Sequence, residues 1–308
     1  MRAVRFAISI PQLYGDGEFD PVEFRNYLTG IEQLGYDSAW GHESVFSASP
    51  QLSPIETMTY AAACTQRLRL GCSVFVSTLH SPVRLARSLA TLDQLTGGRV
   101  DIGIGTGGKQ QQFAAFGMTA DRYVARFTEG VTVMKALWTQ PRVTFDGEFC
   151  QLQDVAMEPK PAQKPHPPLW FGATAETALR RAARLGDGFF GSGGSSTDKF
   201  AEQVRIVRSA LAEAGRDPED FPIAKRLYTV VDDNGARARE RANAAIERMY
   251  GRWVPDVGAA TVAGTPEDCA AEVAKAGAAG AELVLFTPLV ELGEHAERIA
   301  AEVIPLLT

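Results

Sequence analysis

The stretch Leu89–Gly108, LATLDQLTGGRVDIGIGTGG, reads in order as a helix, a glycine stop, a strand and a glycine loop. Its segment GIGTGG, residues 103–108, matches the G-x-G-x-x-G pattern of dinucleotide-binding proteins. In those proteins the glycines open a helix directly, and an acidic residue about 20 positions later ends the next strand. Here the polar stretch KQQQFAAFGM follows the glycines, and a helix that begins near Asp121 stands where that strand would be. The pattern therefore argues against a Rossmann fingerprint.

Strands and helices alternate on both sides of this stretch. Runs such as VRFAISI (4–10) and LRLGCSVFV (68–76) are rich in β-branched and aromatic residues, and apolar residues at helical spacing lie between such runs, as in 82–95. This alternation predicts parallel βαβ units. About eight strands can be counted, each mostly apolar on both faces, which favours a closed (β/α)8 TIM barrel. A doubly wound open sheet has similar spacing and stays open as the alternative.

Three stretches depart from the alternation. We treat residues 1–308 as a single domain with excursions at about 106–118, 140–167 and 235–264. In the second excursion, VTFDGEFCQLQ alternates around Asp146-Gly147, which is a hairpin signal, and a proline-rich segment follows. The loop WVPDVGAATVAGTPED belongs to the third. The sequence thus predicts a barrel with an insertion hairpin and a mobile segment near its C-terminal mouth.

Composition and charge are those of an ordinary globular protein. The net charge is −6, and Lys and Arg are scattered without a basic run, so we expect neither nucleic acid nor an anionic membrane as a partner. No segment approaches the roughly 18 apolar residues of a membrane span, and the N-terminal apolar run is too short for a secretory peptide, so we expect a cytoplasmic protein. The cysteines are far apart, and His80, His166 and His295 share no ligand spacing. We expect no metal site and interpret these histidines as surface or capping residues.

The glycine loop marks the expected functional end of the barrel. Residues 105–108 would lie at the carboxyl end of the fourth strand, where barrel enzymes build their active sites. Bare backbone at this place would let a flat ring approach closely. We therefore expect a ligand with a planar ring system at the mouth.

Four separated motifs carry a family resemblance, and they occur in the family's order over nearly the whole chain. They are LATLDQLTGGRVDIGIGTGG, LWTQPRVTFDGEFCQL, PKPAQKPHPPLWFGA and AARLGDGFF. Together they resemble the bacterial-luciferase-like superfamily, which includes flavin monooxygenases and oxidoreductases that depend on the deazaflavin coenzyme F-420 (F420). The resemblance implies an enzyme with a (β/α)8 barrel that holds a reduced flavin or deazaflavin at its C-terminal mouth, acts on a small-molecule substrate and forms a homodimer.

The resemblance also implies cofactor contacts. LGCSVFV (70–76) is similar to the family's third strand, where a non-prolyl cis peptide forms a bulge behind the ring system. The loops GATAET (172–177) and GSGGSS (191–196) could hold the cofactor phosphate through free amides and hydroxyls, or could be ordinary helix caps. Gln111 aligns with a family asparagine close to the ring, although a solvated polar turn fits it too. The predicted cofactor-binding residues are Ser44, Ser73, Val74, Gly105, Thr106, Gly107, Gly108, Gln111, Gly172, Ala173, Thr174, Ala175, Gly191, Ser192 and Gly193.

The end of the second strand, AWGHES, departs from the family pattern. Deazaflavin-dependent members often have Asp-His there, and an ungapped alignment puts Glu43 and Ser44 at those positions. His42 and Ser44 would share one face of the strand, with Glu43 on the other. His42, with an unperturbed pKa of about 6.5, is predicted as a general acid or base, and a buried structural histidine is the alternative. Glu43 could protonate a substrate or orient His42.

The resemblance leaves more than one function open. The leading hypothesis is an F420-dependent oxidoreductase that moves a hydride to or from a small organic substrate. The alternative is a reduced-FMN-dependent monooxygenase, and the Ala- and Arg-rich character and the third-strand CSV favour the deazaflavin. A second alternative, a non-catalytic barrel subunit, draws support from the missing Asp-His pair, whereas the intact glycine loops argue against it.

Overall fold

The computed structural model describes residues 4–14, 18–44, 46, 50–107 and 110–307, with only the backbone of residues 110–112. The strands are β1 (Arg5–Ser9), β2 (Ser38–Gly41), β3 (Arg69–Val76), β4 (Val100–Gly105), β5 (Val143–Asp146), β6 (Gln151–Val155), β7 (Leu169–Gly172), β8 (Gly188–Gly191), β9 (Ile223–Val231), β10 (Val262–Gly264) and β11 (Leu283–Pro288). The helices are α1 (Pro21–Gln33), α2 (Pro54–Cys64), α3 (Pro82–Thr96), α4 (Tyr123–Thr139), α5 (Glu176–Leu185), α6 (Thr197–Glu213), α7 (Gly235–Tyr250), α8 (Pro255–Ala260), α9 (Pro266–Ala278) and α10 (Leu292–Arg298).

Parallel strands close into a ring. The order is β1, β2, β3, β4, β7, β8, β9 and β11, each strand pairing in parallel with the next, and β11 returns to β1. The pairing of β8 with β9, for example Phe190 opposite Ala224, completes the closure. The eight-stranded TIM barrel is therefore confirmed, and the open doubly wound sheet is excluded because the barrel has no free edge between β8 and β9.

The predicted hairpin is confirmed, whereas one predicted loop is wrong. Strands β5 and β6 pair in antiparallel fashion, with Phe145 opposite Leu152. The segment predicted as a loop, 253–268, contains α8, β10 and the start of α9, and β10 extends the sheet beside β9. A six-residue helix and a three-residue strand are too short to show a periodic pattern in the sequence. The mobile segment and the single-domain organisation stay predictions.

Aromatic side chains fill the barrel interior below its mouth. The Trp40 ring lies 6.0 Å from the Trp170 ring and 4.8 Å from the Phe190 ring, in edge contacts. Ala7, Ala224, Leu283 and Leu285 complete this cluster. Because side chains alternate along a strand, residues two positions after Trp170, Ala224 and Leu285 face the same interior one layer closer to the carboxyl end. These are Gly172, Arg226 and Thr287, so the layer at the mouth is more polar than the layer below. Within the described part of the chain, no helix is long and apolar enough to cross a membrane.

Candidate active site

A non-prolyl cis peptide lies on the mouth side of β3. The bond between Ser73 and Val74 is cis, as the resemblance predicts for these two residues. The pairing of β3 with β4 shifts across this bond, from Cys72 opposite Ile102 to Phe75 opposite Ile104. The predicted bulge is therefore confirmed.

The glycines of β4 make room for this bulge. A Cβ at any of three alternate glycines would collide with β3, and the clashes continue from the strand into the loop. The nearest atom to such a Cβ would be Cys72 O at 2.2 Å for Gly103, Val74 Cγ2 at 2.9 Å for Gly105 and Val76 Cγ1 at 2.6 Å for Gly107. At Gly172 of β7 a Cβ would lie 2.8 Å from Val74 Cγ1. At these positions the place of a Cβ is already taken by β3, and the expectation that the glycine loop lets a flat ring approach stays a prediction.

Arg226 joins the bulge from across the barrel. Its Nη2 donates to Ser73 O at 2.9 Å and to Ser73 Oγ at 2.5 Å, and the residue is 9% exposed. Sequence analysis missed this contact because β9 was read only as an apolar strand. The available signal was the pair Lys225-Arg226 inside that strand, since a cation buried in a barrel wall needs a partner.

His42 follows β2 and is neutral near pH 7. Its backbone amide donates to Gln12 Oε1 at 2.6 Å, and its Nε2 accepts from Gln51 Nε2 at 3.1 Å, so the neutral ring carries its proton on Nδ1. Burial, with a smaller contribution from the Arg226 guanidinium, lowers the pKa of His42 to about 4. The ring is therefore a neutral hydrogen-bonding group over the physiological range, and the role of His42 as a general acid or base stays a prediction.

Gln12, which sequence analysis also missed, fixes the approach to His42. It is almost fully buried, and its Nε2 donates to Leu52 O at 3.0 Å. The Leu52 amide donates back to Gln12 O at 3.0 Å. These bonds tie the segment that contains Gln51 to the carboxyl ends of β1 and β2.

The shifted pKa of His42 predicts a pH-dependent stability. The unfolded chain binds this proton with a pKa of 6.5 and the folded chain with a pKa of about 4. Between these values the unfolded state holds more protons, so the free energy of unfolding falls as the pH falls. Between pH 7 and pH 4, we expect the free energy of unfolding to fall by about 2 kcal/mol less in His42→Gln than in the wild type. This is less than the full pKa shift would give, because the ring is partly solvated. Urea unfolding at pH 7 and pH 4 measures the difference, and parallel curves for both proteins would contradict it.

Glu43 brackets the cis peptide. Its Oε2 accepts from the Val76 amide at 2.6 Å, its Oε1 accepts from His80 Nε2 at 2.8 Å, and its own amide donates to Val74 O at 3.4 Å. The carboxylate therefore contacts His80, and the suggestion that it orients His42 is not supported by these contacts. The interpretation of His80 as a capping residue is right, since its amide donates to Ser77 O and caps the turn 77–79, but its contact with Glu43 was not predicted, because a spacing of 37 residues carries no local signal. His295, fully buried, departs from the surface interpretation.

Removing the Glu43 carboxylate should destabilise the bulge. We expect Glu43→Ala to lower the free energy of unfolding by about 2 kcal/mol, because the Val76 amide and His80 lose their acceptor. Glu43→Gln keeps an oxygen for the amide and should lose less than half of that. Denaturant unfolding of both variants tests this, and equal losses would show that the hydrogen bond to the amide is not what stabilises the segment.

A cavity of about 300 Å³ lies beside His80, near the mouth. Its polar wall contains Ser81 and Arg126, and its apolar wall contains Phe127 and Phe149. The Arg126 guanidinium lies 4.5 Å above the Phe149 ring, and its buried Nε has no hydrogen-bond partner among the described residues. His80 therefore connects the Glu43 carboxylate to a cavity wall.

Other predicted contact residues lie around the mouth with separate partners. Ser44 is exposed, and its Oγ donates to Phe46 O at 3.3 Å. Strand β2 ends at Gly41, before both His42 and Ser44, so the premise that these two residues share a strand face is wrong. Thr106 O accepts from Thr78 Oγ1 at 2.9 Å. Gly108 lies outside the described residues, as does the side chain of Gln111. Their roles toward a cofactor stay predictions.

The two predicted phosphate loops differ in how their helices begin. Ala175 is the N-cap of α5 and has no polar side chain, so Thr174 lies before the cap and the helix-cap alternative does not apply to it. Ser196 is the N-cap of α6 and accepts from the Lys199 amide at 3.3 Å, so the cap reading is right for that residue. Binding roles for the remaining loop residues stay predictions. These are Gly172, Ala173, Thr174, Ala175, Gly191, Ser192 and Gly193.

The sequence model of the luciferase-like monooxygenase family matches residues 4–283. The chain belongs to the luciferase-like monooxygenase family. The F420-dependent glucose-6-phosphate dehydrogenase of Kineococcus radiotolerans is 28% identical over 94% of this chain and 94% of its own length. The FMNH2-dependent dimethylsulfone monooxygenase of Pseudomonas putida is 28% identical over 90% of this chain and 83% of its own length. The luciferase-like relatives of this chain thus include both F420-dependent and FMNH2-dependent enzymes.

A solved structure shares the fold of this luciferase-like chain. Monooxygenase RslO1 from Streptomyces bottropensis is similar with a TM-score of 0.86 and 24% identity, over 99% of this chain and 100% of that chain. At this level of identity, the likeness shows a shared fold and no more. Within the described residues, no group of three or more His, Cys, Asp or Glu side chains could hold a metal ion.

Proposed function

We propose that this luciferase-like protein is an F420-dependent oxidoreductase that transfers a hydride to or from a small organic substrate. The observation that carries the proposal is the neutral His42 near the cationic Arg226, at a mouth that also contains the cis peptide of Ser73 and Val74. A hydride transfer at a carbon that bears oxygen needs a group for the oxygen's proton and a positive charge for the oxygen's developing negative charge. The 28% identity with an F420-dependent dehydrogenase supports this choice.

The residues at the mouth fit a deazaflavin. The bulge at Ser73 and Val74 offers a wall of backbone and one small apolar side chain against which a planar ring can lie. The loops that follow β7 and β8 offer backbone amides at the starts of α5 and α6, which suit a phosphate group. When bound, the deazaflavin would supply the carbon, C5, that accepts or donates the hydride.

The chain's own residues would handle the proton and the charge. Gln51 donates to Nε2 of His42, so Nδ1–H would donate a hydrogen bond to a substrate carbonyl oxygen; in alcohol oxidation, Nε2 would have to exchange the Gln51 amide for the substrate hydroxyl to accept its proton. Arg226 would stabilise negative charge that develops on that oxygen, since charge effects are strong where water is excluded. Glu43 would keep the bulge in place through Val76 and Val74.

Equilibrium titration of the apoprotein tests the cofactor. Coenzyme F420 and FMN, each oxidised and reduced, are added separately while tryptophan fluorescence is followed; Trp40 and Trp170 lie directly below the mouth. Preferential binding of the deazaflavin is expected, and turnover is then screened with alcohols, imines and activated alkenes. Preference for reduced FMN would overturn the proposal. Binding of neither cofactor would favour the non-catalytic barrel.

The second candidate is a reduced-FMN-dependent monooxygenase. It is favoured by the dimethylsulfone monooxygenase, whose 28% identity equals that of the F420-dependent dehydrogenase. Deazaflavin has carbon where flavin has N5, and its reduced form reacts poorly with dioxygen, so the two cofactors imply different reactions. Oxygen consumption with reduced FMN and a candidate substrate distinguishes them.

We also propose that the protein is a homodimer, as the family resemblance implies. Light scattering during size-exclusion chromatography measures the mass of the particle in solution. A monomer at micromolar concentration would contradict this part of the proposal.

A further inference from the structure

Lys225 is a fully buried cation on the outer face of the barrel wall. Its neighbours in β9, Ala224 and Arg226, face the interior, so Lys225 faces the surrounding helices. Its Nζ donates to Ser192 O at 2.5 Å and to Ser195 O at 2.6 Å. The same ammonium lies 5.6 Å from the centre of the Phe200 ring on α6. Lys225 therefore holds the loop between β8 and α6 by its carbonyl groups.

Peptide geometry then sets the direction of the loop's amides. In a trans peptide the C=O and the following N–H point in opposite directions. The carbonyls of Ser192 and Ser195 point at Lys225, so the amides of Gly193 and Ser196 point away from it. In the part of the chain that the structure describes, neither amide donates to another group. Neither amide is therefore committed to a partner there, and of the two residues Ser196 is exposed and Gly193 is buried beneath the loop surface.

The loop also borders the mouth. A Cβ at Gly193 would lie 2.9 Å from Tyr228 Cε2 and 3.1 Å from Arg226 Cδ. Both of those side chains belong to the interior face of β9. The stretch that Lys225 holds from outside is therefore the same stretch that covers Arg226 from above.

The charges around the loop suit an anion. The loop leads into α6, a 17-residue helix whose N-terminal end carries a partial positive charge. Lys225 and Arg226 add positive charge on its two sides. The carboxylate that faces Lys225 is Glu272 of α9, which is engaged by Thr197 Oγ1 and by Lys275. Burial lowers the pKa of Lys225 to about 7, an effect that Glu272 partly offsets and Arg226 reinforces.

We propose that Lys225 is a positioning residue that shapes the β8–α6 loop into a receptor for the cofactor's phosphate group. The inference rests on the proposed function, since it requires a phosphate-bearing flavin or deazaflavin at the mouth. Lys225 does not touch the cofactor in this scheme. It acts by fixing the carbonyls of Ser192 and Ser195 so that the amides on the opposite side face the anion.

The experiment compares cofactors with and without the phosphate. Dissociation constants are measured for FMN against riboflavin, and for F420 against its phosphate-free deazaflavin nucleoside. Lys225→Met keeps the length of the side chain and removes the ammonium. Lys199→Met is the matched control. Lys199 is exposed and lies in the first turn of α6, and among the described contacts its ammonium does not bond the loop carbonyls. The control substitution therefore removes the same charge but no bond to the loop.

We expect Lys225→Met to weaken binding of the phosphate-bearing cofactor about tenfold or more, the scale of one hydrogen bond from a charged donor. Binding of the phosphate-free compound should change by less than about twofold in the same variant. Lys199→Met should leave both within about twofold of wild type. Equal weakening of both compounds in Lys225→Met would overturn the inference, because a general structural loss affects them alike.

A measurement on the wild type keeps the inference testable if Lys225→Met does not fold. The ratio of the affinities for F420 and its nucleoside should fall as the pH rises through about 7, where Lys225 loses its proton. The ring is common to both compounds, so its own titration cancels in the ratio. A ratio that is independent of pH would overturn the inference. If the wild type binds none of the four compounds, the proposed function itself fails, which is a different result.

Discussion

Replacing Arg226 with methionine is expected to lower kcat/KM about a hundredfold or more, which is the effect of removing a charge aimed at the reacting atoms. The guanidinium holds Ser73 through its carbonyl and its hydroxyl and lies near His42. The variant thus loses the positive charge at the mouth and the bonds that anchor the bulge. Steady-state kinetics with the cofactor selected by titration measures the loss.

Two further measurements separate these effects. NMR titration of His42 should show its pKa rising from about 4 when the Arg226 charge is removed, while burial still holds it below the ordinary value. Arg226→Lys keeps the charge but lacks the forked donor geometry, so it should recover part of the activity. An unchanged kcat/KM in the methionine variant, with the fold intact, would remove Arg226 from the reaction.

The Gly103→Ala variant should be among the most damaging single-atom changes in the barrel. The added Cβ would lie 2.2 Å from Cys72 O and 3.2 Å from Ser73 Cα, and both are backbone atoms that cannot rotate away. We expect the free energy of unfolding to fall by about 3 kcal/mol or more and the cis peptide segment to move. Denaturant unfolding measures the first effect, and the cofactor dissociation constant reports the second.

The matched control is Gly30→Ala on α1. Nothing lies within 4 Å of a Cβ at Gly30, and the residue is inside a helix. The same substitution should therefore raise the free energy of unfolding there by about 0.5 to 1 kcal/mol. Similar changes at both positions would mean that β3 does not press on Gly103 as described.

Local patterns in the sequence account for most of the barrel. Alternating periods predict the strands and helices, and the Asp146-Gly147 signal predicts the hairpin between β5 and β6. The position of the cis peptide at Ser73 and Val74 came from the resemblance of LGCSVFV to a family strand. Each of these signals is contained in fewer than about a dozen consecutive residues, which is the reach of a periodicity argument.

The contacts that organise the site lie beyond that reach. Arg226 and Ser73 are 153 residues apart and belong to strands that are not neighbours in the barrel. Their contact depends on how the sheet closes, which strand spacing alone does not specify. The pairing of Glu43 with His80 and the brace from Gln12 to Leu52 likewise join loops across different βα units. The glycine loop was located correctly at the carboxyl end of β4. The need for glycine at these positions, however, depends on the close approach of β3, which the sequence does not show.

The glycines of β4 also bear on how such barrels can be recombined. Residues 103, 105 and 107 match Cys72, Val74 and Val76 of β3 one to one. A chimera with a crossover between residues 77 and 99 would combine β3 from one parent with β4 from another. If the second parent carried a side chain at any of the three glycine positions, the graft would collide with the bulge even where both strands are compatible with a barrel. Libraries that shuffle this family should therefore exchange β3 and β4 as one block and place their crossovers elsewhere.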